Sequence, residues 1–210
     1  MKKVKFIVFI CLFILLPLAY FNGFIRISDL TSEQESIAKK YGGVYVFDEK
    51  LEREIDRREE ERDKYLDDFF KNNNRDFDLN DQTIMNEKLP RVLSNGKKYY
   101  VTTRDYGNDF KKQAWIPERY SDLIVNYIGD DYNKFKPSMS FIYFYVENNE
   151  IVPISLSVTY TYKVAKFGLY GDEASGIRFK EIYYSYVLSG NRFEFINNKF
   201  EKVSTSDKDK

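Results

Sequence analysis

The sequence lacks histidine altogether and contains one cysteine among its 210 residues. Without histidine, the chain has no imidazole general base, no Ser–His–Asp triad and no His-ligated metal site. Cys11 lies inside the apolar N-terminal segment, so residues 26–210 contain no disulfide, no thiol nucleophile and no thiolate ligand. We therefore expect this part of the chain to be stabilised by packing, to which 18 Tyr and 18 Phe contribute large aromatic surfaces.

The chain also lacks an excess of either charge, with 33 basic and 33 acidic residues. This balance predicts no nucleic-acid partner, because such partners need a basic surface. There is no glycine-rich phosphate loop, and we expect no cofactor. Two pairs of adjacent acids, Asp130–Asp131 and Asp172–Glu173, could support hydrolysis, as paired carboxylates do in glycosidases. Adjacent acids in loops are usually solvated, so we assign no catalytic residue and favour a protein that is not an enzyme.

A long apolar run occurs at the N-terminus, where Lys2, Lys3 and Lys5 precede Phe6–Phe21. Positive charge followed by an apolar run is typical of an export signal. The 16 residues of the run span about 24 Å as a helix. Continuing the helix to Ile25 gives about 30 Å, which is the thickness of a bilayer core. The segment is therefore long enough to cross a membrane.

The small residues that signal peptidase requires are missing from this segment. A cut after Ala19 would place Pro17 at the third position before the cut, and a cut after Gly23 would place Phe21 there. Cys11 lies in the middle of the apolar run, so it does not mark a lipoprotein. We therefore predict that residues 1–25 form an uncleaved signal anchor, with secretion after cleavage as the alternative.

The three lysines predict the orientation of the anchor, because positive charge stays on the cytoplasmic side of a membrane. The N-terminus would lie inside the cell, and residues 26–210 would be periplasmic or extracellular. The chain is rich in Lys, Asn, Tyr, Phe and Ile, has five alanines, and has no Asn-x-Ser/Thr site among 15 asparagines. This composition favours a bacterial source, and so a bacterial inner or cytoplasmic membrane.

Two segments of contrasting charge follow. Residues 26–47 are interpreted as a connector. Residues 48–71 include 18 charged residues among 24 and no Gly or Pro, which predicts a helix. Its coiled-coil-like seam consists of Leu51, Ile55, Arg58, Arg62, Tyr65 and Phe69. Two arginines disfavour self-association, so we expect a solvated stalk that docks only its C-terminal end.

Residues 72–90 are interpreted as a polar linker, with a calcium loop as the alternative. Asp76, Asp78, Asn80 and Glu87 occupy positions 1, 3, 5 and 12 of an EF-hand pattern, where oxygen ligands are needed. Asp81 replaces the glycine that the sharp turn of such a loop requires. This departure favours the linker.

Residues 91–203 have the pattern of one α+β domain. Pro117–Gly129 is predicted to be a helix with one apolar stripe. The predicted strands are Lys97–Thr103, Met139–Val146, Ile151–Tyr162, Arg178–Leu188, Arg192–Ile196 and Lys199–Val203. Short turns between most of them, including Asn148–Asn149 and Asn197–Asn198, predict an antiparallel β-meander of about five strands with one packed helix. Residues 204–210 are predicted to be a disordered tail.

Alternation within two strands predicts how their faces are used. The residues expected on a solvent-exposed face are Ser155, Ser157, Thr159 and Thr161. Those that share one face of the strand Arg178–Leu188 are Ile182, Tyr184, Tyr186 and Leu188.

The loop Phe167–Gly176 is the predicted recognition site. It carries Phe167, Leu169 and Tyr170 among glycines, and long loops on rigid sheets often carry function. Aromatic residues in such loops often anchor a partner protein. The alternative is that these three side chains pack beneath the edge of the sheet.

These features together predict a membrane-anchored, exported protein-binding module of a bacterial envelope. Such a module would act as an accessory subunit or as an immunity-type inhibitor of an exported toxin. Two alternatives remain: a carboxylate-dependent enzyme acting on cell-wall polymer, and a calcium-responsive envelope module.

Overall fold

The structure, a computed structural model, describes residues 2–23, 25–171, 174 and 176–203. The helices are α1 (Lys2–Ile10), a π-helical segment (Cys11–Leu15), α2 (Leu16–Phe21), α3 (Ser32–Tyr41), α4 (Glu49–Asn72), α5 (Leu79–Lys88), α6 (Thr103–Phe110), α7 (Glu118–Ile128) and α8 (Asp131–Lys134). The strands are β1 (Ile25–Ser28), β2 (Gly43–Val46), β3 (Tyr99–Tyr100), β4 (Ser138–Glu147), β5 (Glu150–Thr159), β6 (Thr161–Tyr170), β7 (Arg178–Tyr186), β8 (Asn191–Ile196) and β9 (Lys199–Val203). The fold is mixed α+β with an N-terminal apolar helix.

The N-terminal apolar helix lies outside the core. Its 19 residues from Lys3 to Phe21 have a mean hydropathy of 2.5 and are not buried against the rest of the chain. At 1.5 Å per residue this helix is about 28 Å long, enough to cross a membrane. A membrane anchor and a cleavable signal sequence both have this length, this hydropathy and this lack of burial. The predicted tail, residues 204–210, lies outside the described residues.

The larger sheet has six strands in the order β3-β4-β5-β2-β8-β9. Neighbouring strands are antiparallel except β2 and β8, which are parallel. In β2, Val44 pairs with Ser157 on one side and with Arg192 on the other. The sheet is therefore not a simple meander, because a strand from the beginning of the chain separates β5 from β8.

The expected connector, residues 26–47, is therefore a folded part of the molecule. It contains most of β1, all of α3 and β2, and its Tyr45 and Val46 are buried. Helix α3 begins with a capping box in which Thr31 accepts from the Gln34 amide at 3.2 Å. The prediction was wrong because β2 has only four residues, too few for alternation to be visible.

The main core lies between one face of this sheet and helices α3 and α7. The buried residues of this core are Ile37, Ala38, Tyr41, Tyr45, Ile124, Ile128, Leu156, Val158, Tyr160, Phe193 and Phe200. The Tyr45 ring stacks on that of Phe193 at 4.5 Å between centroids, and its hydroxyl donates to the Tyr41 carbonyl at 2.8 Å. Aromatic packing thus provides the stabilisation expected of a chain without disulfides in this region.

Helix α4 has the predicted extent, but it is not a solvated stalk. It begins at the N-cap Asp48, whose carboxylate accepts from the Leu51 amide at 3.0 Å. Ile55 is fully buried in a cluster with Leu93, Tyr99 and Ile154. The prediction was wrong because the docked face is itself mostly charged, and hydropathy does not reveal such a face.

Charged side chains complete the docked face of α4. Glu52, Glu59 and Arg62 follow the same helical spacing as Ile55 and face the domain. Arg192 of β8 donates to Glu52 at 2.5 Å, and both side chains are buried. Because each buried charge has a partner of opposite sign or a hydrogen-bond acceptor, this face can dock without leaving an isolated charge.

Helix α4 also covers much of the β5 face that was expected to be exposed to solvent. Ser155 is completely buried, and Ser157 and Thr159 are half-buried, whereas Thr161 is exposed. Strand alternation distinguishes the two faces of a sheet, but it does not reveal that helices pack on both of them. The expectation of a wet face was therefore wrong for most of this row.

The smaller sheet has three antiparallel strands in the order β1-β6-β7. The predicted strand Ile151–Tyr162 divides at Tyr160, where the chain leaves the larger sheet and enters β6. Tyr160 is buried there, with its ring 5.1 Å from that of Phe135. The β6–β7 hairpin consequently forms a sheet with β1 instead of extending the meander.

Candidate functional site

The smaller sheet exposes apolar side chains on one face. In an antiparallel pair, directly opposed residues lie on the same face. Ile27 is opposite Ala165, and Ala165 is opposite Ile182. Two positions further along β7, on the same face, are Tyr184 and then Tyr186. We define Ile27, Ile182, Tyr184 and Tyr186 as the apolar face; their side chains are 56–68% exposed.

Lysines flank this apolar face. The Lys163 ammonium lies 5.8 Å from the centre of the Tyr184 ring, and the Lys180 ammonium lies 5.7 Å from that of Phe167. Aromatic side chains next to cations, with few charges in the centre, are typical of the middle of protein–protein interfaces. The face therefore has the chemistry of a protein-binding surface.

One edge of the same sheet is open. Within the described residues, β7 pairs with β6 on one side and with no strand on the other. The nine residues Arg178–Tyr186 therefore present unpaired backbone groups along one side. An extended segment of a partner can add to such an edge through main-chain hydrogen bonds. The edge and the apolar face are continuous.

The residues predicted to form the binding loop lie at the end of β6, not in an open loop. Phe167 is half-buried, and its ring is 6.4 Å from that of Tyr20 in α2. Tyr170 packs against Gly23, and its buried hydroxyl has no hydrogen-bond partner among the described residues. Leu169 is exposed. Two of the three candidate anchors therefore contact the N-terminal helix or the residues that follow it.

The apolar alternation in β7 was visible in the sequence, but these residues were given no role in binding from the sequence. Ile182, Tyr184 and Tyr186 alternate on β7 as predicted, a pattern equally typical of a core-facing strand. The structure places all three in the open. Ile27 could not have been grouped with them, because β1 lies far from β7 in the sequence.

A polar cleft of about 350 Å³ lies between α5, α6 and the segment that connects them, residues 90–100. At its wall, Arg91 donates to both carboxylate oxygens of Glu59, at 2.7 and 2.9 Å, and the Tyr99 hydroxyl donates to Glu59 at 2.6 Å. Lys98 and the Tyr100 hydroxyl both donate to Asp109, at 2.6 and 2.8 Å. Wall residues of the cleft therefore hold Glu59, which lies outside the lining, and Asp109, which is part of it.

These donors keep the two carboxylates ionised. Burial acts to raise the pKa of Glu59, but the hydrogen bonds from Arg91 and Tyr99 outweigh it, so the pKa is lowered. Lys98 lowers the pKa of Asp109, against a smaller effect of burial, and Tyr100 lowers it further. A general acid needs a raised pKa in order to carry a proton near neutral pH. Glu59 and Asp109 lack that property.

Of the two acid pairs singled out in the sequence, the structure describes Asp130–Asp131. Asp130 is the N-cap residue of the short helix α8, which Asp131 begins. Lys134 lowers the pKa of the Asp131 carboxyl, against a smaller effect of burial, and Tyr41 lowers it further. Asp172 and Glu173 lie outside the described residues.

The expected polar linker contains helix α5, and this helix replaces the proposed calcium loop. The Asp78 carboxylate caps α5 by accepting from the amides of Asn80 and Asp81, at 2.8 and 3.0 Å. Arg75 donates to both oxygens of Asp81, at 2.6 and 2.8 Å, and holds the pKa of this carboxyl at about 2. Among the described residues, no three acidic or thiol side chains come close enough to hold a metal ion.

The four candidate calcium ligands are accordingly separated. Asp76 and Asp78 precede α5, whereas Asn80 and Glu87 lie within it. An EF-hand loop must wrap around its ion between the first and last ligands, and a helix over those positions does not.

Comparisons with models of known protein families, with curated proteins and with solved structures found no match to this chain. The apolar face with its open edge is the described surface whose chemistry best fits binding.

Proposed function

We propose that this chain is a membrane-anchored, exported protein-binding module of a bacterial envelope. It would act as an accessory subunit or as an immunity-type inhibitor, and it would bind its partner through the apolar face. The observation that supports this proposal is the exposure of Ile27, Ile182, Tyr184 and Tyr186 together on one face of a sheet with an open edge. An exposed apolar patch of this kind marks an interaction site in many soluble domains.

The two tyrosines of the apolar face determine how much affinity a truncation should cost. Tyr184 and Tyr186 each offer a large ring and a hydroxyl, the combination that concentrates binding energy at interfaces. Truncating such an anchor costs about 2 kcal/mol or more, a loss of roughly thirtyfold in affinity. Because both side chains are exposed in the free chain, their truncation should have little effect on its stability.

The proposal can be tested by photo-crosslinking in a bacterium that carries the gene and its natural neighbours. A photoreactive phenylalanine analogue is placed at Tyr184 in the full chain, with the same analogue at Glu181 as the matched control. Glu181 is three residues away on the same strand but on the opposite face. We expect a discrete protein adduct from Tyr184, none from Glu181, and loss of the adduct when Ile182→Asp is added.

The opposite results would overturn the proposal. Equal adducts from both positions would show that the face is not selective. A Tyr184 adduct that survives Ile182→Asp would show that the apolar surface contributes nothing to binding. Circular dichroism of the Ile182→Asp chain should match that of the parent, since Ile182 is outside the core.

The enzymatic alternative gains no support from the polar cleft. Asp109 in its lining and Glu59, which its wall residues Arg91 and Tyr99 bind, have lowered pKa values, which suits fixed structural anions and not a proton donor. The calcium-responsive alternative is likewise disfavoured, because the helix over residues 79–88 separates the candidate ligands.

A further inference from the structure

The tip of the β6–β7 hairpin lies beside the end of the N-terminal helix. Ile25 of β1 pairs with Phe167 of β6, and the two strands are antiparallel. Beyond this pair, β6 continues to Tyr170, a distance of about 10 Å at the usual strand rise. It therefore extends past the start of β1, back towards Phe21, where α2 ends.

Direct contacts fix this placement. The rings of Tyr20 and Phe167 are 6.4 Å apart. A Cβ atom added to Gly23 would lie 2.5 Å from the Tyr170 hydroxyl, and one added to Gly168 would lie 3.0 Å from the Gly23 Cα. Only glycine allows the two segments to approach this closely. The hairpin tip therefore lies beside the last turn of the N-terminal helix, at the same position along the helix axis.

The tip exposes apolar side chains that are distinct from the apolar face. Leu169, Ile177 and Phe179 are 52–69% exposed. Arg178 pairs with Tyr170, so Ile177 and Phe179 flank the last described pair of the hairpin. Among the described residues, none of these three side chains belongs to a core cluster.

Two lysines, Tyr170 and Phe167 lie at the same end of the hairpin. The Lys166 ammonium lies 5.6 Å from the centre of the Tyr170 ring, and the Lys180 ammonium lies 5.7 Å from that of Phe167. Tyrosines concentrate at the boundary between lipid headgroups and acyl chains, and lysines extend from that depth towards the headgroups. Lys166 and Tyr170 are residue types that this boundary selects.

We propose that Leu169, Ile177 and Phe179 insert into the headgroup–acyl boundary of the bilayer that the N-terminal helix crosses. This inference rests on the anchor of the proposed function. We assign the bilayer as their binding partner because these residues lie beside the last helical turn, where the helix leaves the acyl region. Insertion gives the module a second membrane contact and limits its rotation about the anchor.

Depth-dependent fluorescence quenching tests the insertion in the full chain. Cys11→Ala removes the native thiol, and Ile177→Cys then carries an environment-sensitive dye. The chain is reconstituted in vesicles of phosphatidylcholine and phosphatidylglycerol, with a spin-labelled phosphatidylcholine whose label is either near the headgroup or near the bilayer centre. We expect blue-shifted emission at residue 177 that is quenched more by the shallow label than by the deep one.

Two further positions serve as controls. Leu188→Cys is equally apolar and exposed, but it lies beyond the opposite end of β7, so its dye should report water and should not be quenched by either lipid. Leu12→Cys lies in the middle of the N-terminal helix, so its dye should be quenched most by the deep label.

Each outcome has a distinct meaning. Water-like emission at residue 177, as at residue 188, overturns the insertion. Blue-shifted emission without quenching by either lipid also overturns it, since the tip would then pack against protein. Failure of deep quenching at residue 12 overturns the anchor itself, and with it the basis of the inference. Quenching at residue 12 without quenching at residue 177 leaves the anchor intact and rejects only the insertion.

Discussion

At the residue scale, the most unusual feature is the set of charges buried where α4 docks on the domain. Arg62 donates to the Leu89 carbonyl at 2.5 Å and to the Asn86 side chain at 2.7 Å. Arg192 bridges Glu52 and Glu194, at 2.5 and 2.9 Å. Buried charges of this kind give little net stability as pairs, but removing one partner is costly because the other is left buried and unpaired.

We expect Glu52→Ala to lower the free energy of unfolding by about 1.5–3 kcal/mol, since Arg192 would lose one of its two anionic partners inside the protein and keep the other, Glu194. Urea denaturation of residues 25–210, a fragment that keeps β1, measures this change. The matched control is Glu60→Ala on the same helix. Its pair with Lys64 is exposed, and its removal should cost no more than about 0.5 kcal/mol. Equal losses for the two variants would mean that α4 is a solvated stalk after all.

At the scale of elements, β2 connects the two halves of the larger sheet. It is the only described strand that pairs with both β5 and β8. At its start, Gly43 has a φ of 140°, a conformation that side chains disfavour. A Cβ atom at this position would collide with the backbone carbonyl of Asn191 in β8. The parallel pairing therefore depends on glycine here.

Gly43→Ala should consequently destabilise the domain, by about 1–3 kcal/mol from backbone strain alone, with a further loss from displacing β8. Gly190→Ala is the matched control. That glycine has no atom within 4 Å of an added Cβ and no positive φ, so alanine should be neutral or slightly stabilising there. Thermal unfolding of the two variants compares them directly. A melting temperature for Gly43→Ala that equals the Gly190→Ala value would exclude the tight β2–β8 approach.

At the scale of the whole molecule, the smaller sheet is joined to the apolar helix through β1 and to the larger domain through β1, β6 and β7, although β6 and β7 come between β5 and β8 in the chain. The helix end contacts the hairpin tip through Tyr20 and Phe167, and the larger domain begins where β1 leads into α3. The smaller sheet therefore lies between the membrane helix of the proposed function and the rest of the domain.

We predict that the chain remains in the membrane fraction after salt and carbonate washes and keeps its original N-terminus. The reason is that a cut after Ala19 or after Gly23 would lack a small residue at the third position before the cut. The variant for comparison is Phe21→Ala, which places a small residue at the third position before a cut after Gly23. We expect this variant to be released in soluble form. Release of the parent chain, with a new N-terminus between residues 19 and 30, would contradict the anchor.

Local patterns predicted several elements because the physical cause was itself local. Charge content and the absence of Gly and Pro placed α4, and an apolar stripe placed α7. The pairs Asn148–Asn149 and Asn197–Asn198 predicted turns, and all four residues have positive φ values between strands that pair as hairpins. Helix α6 was missed, because its eight residues include Gly107 and little apolar periodicity.

The candidate site was predicted only in part, for a related reason. Phe167, Leu169 and Tyr170 stood out by composition, yet the first and last of them contact the N-terminal segment, which sequence spacing could not reveal. Alternation grouped Ile182, Tyr184 and Tyr186 on one face, but alternation states only that two faces differ. It does not state which face is covered.

The sequence by itself determined the apolar N-terminal helix, the α+β class, helices α4 and α7 and the Asn-Asn hairpins, because composition, periodicity and turn chemistry act over a few residues. Only the tertiary structure decided that β2 separates β5 from β8, that the charged face of α4 docks on the domain, and that the apolar face is open. Each of these depends on contacts between residues far apart in the chain, whose free energy is absent from any local window.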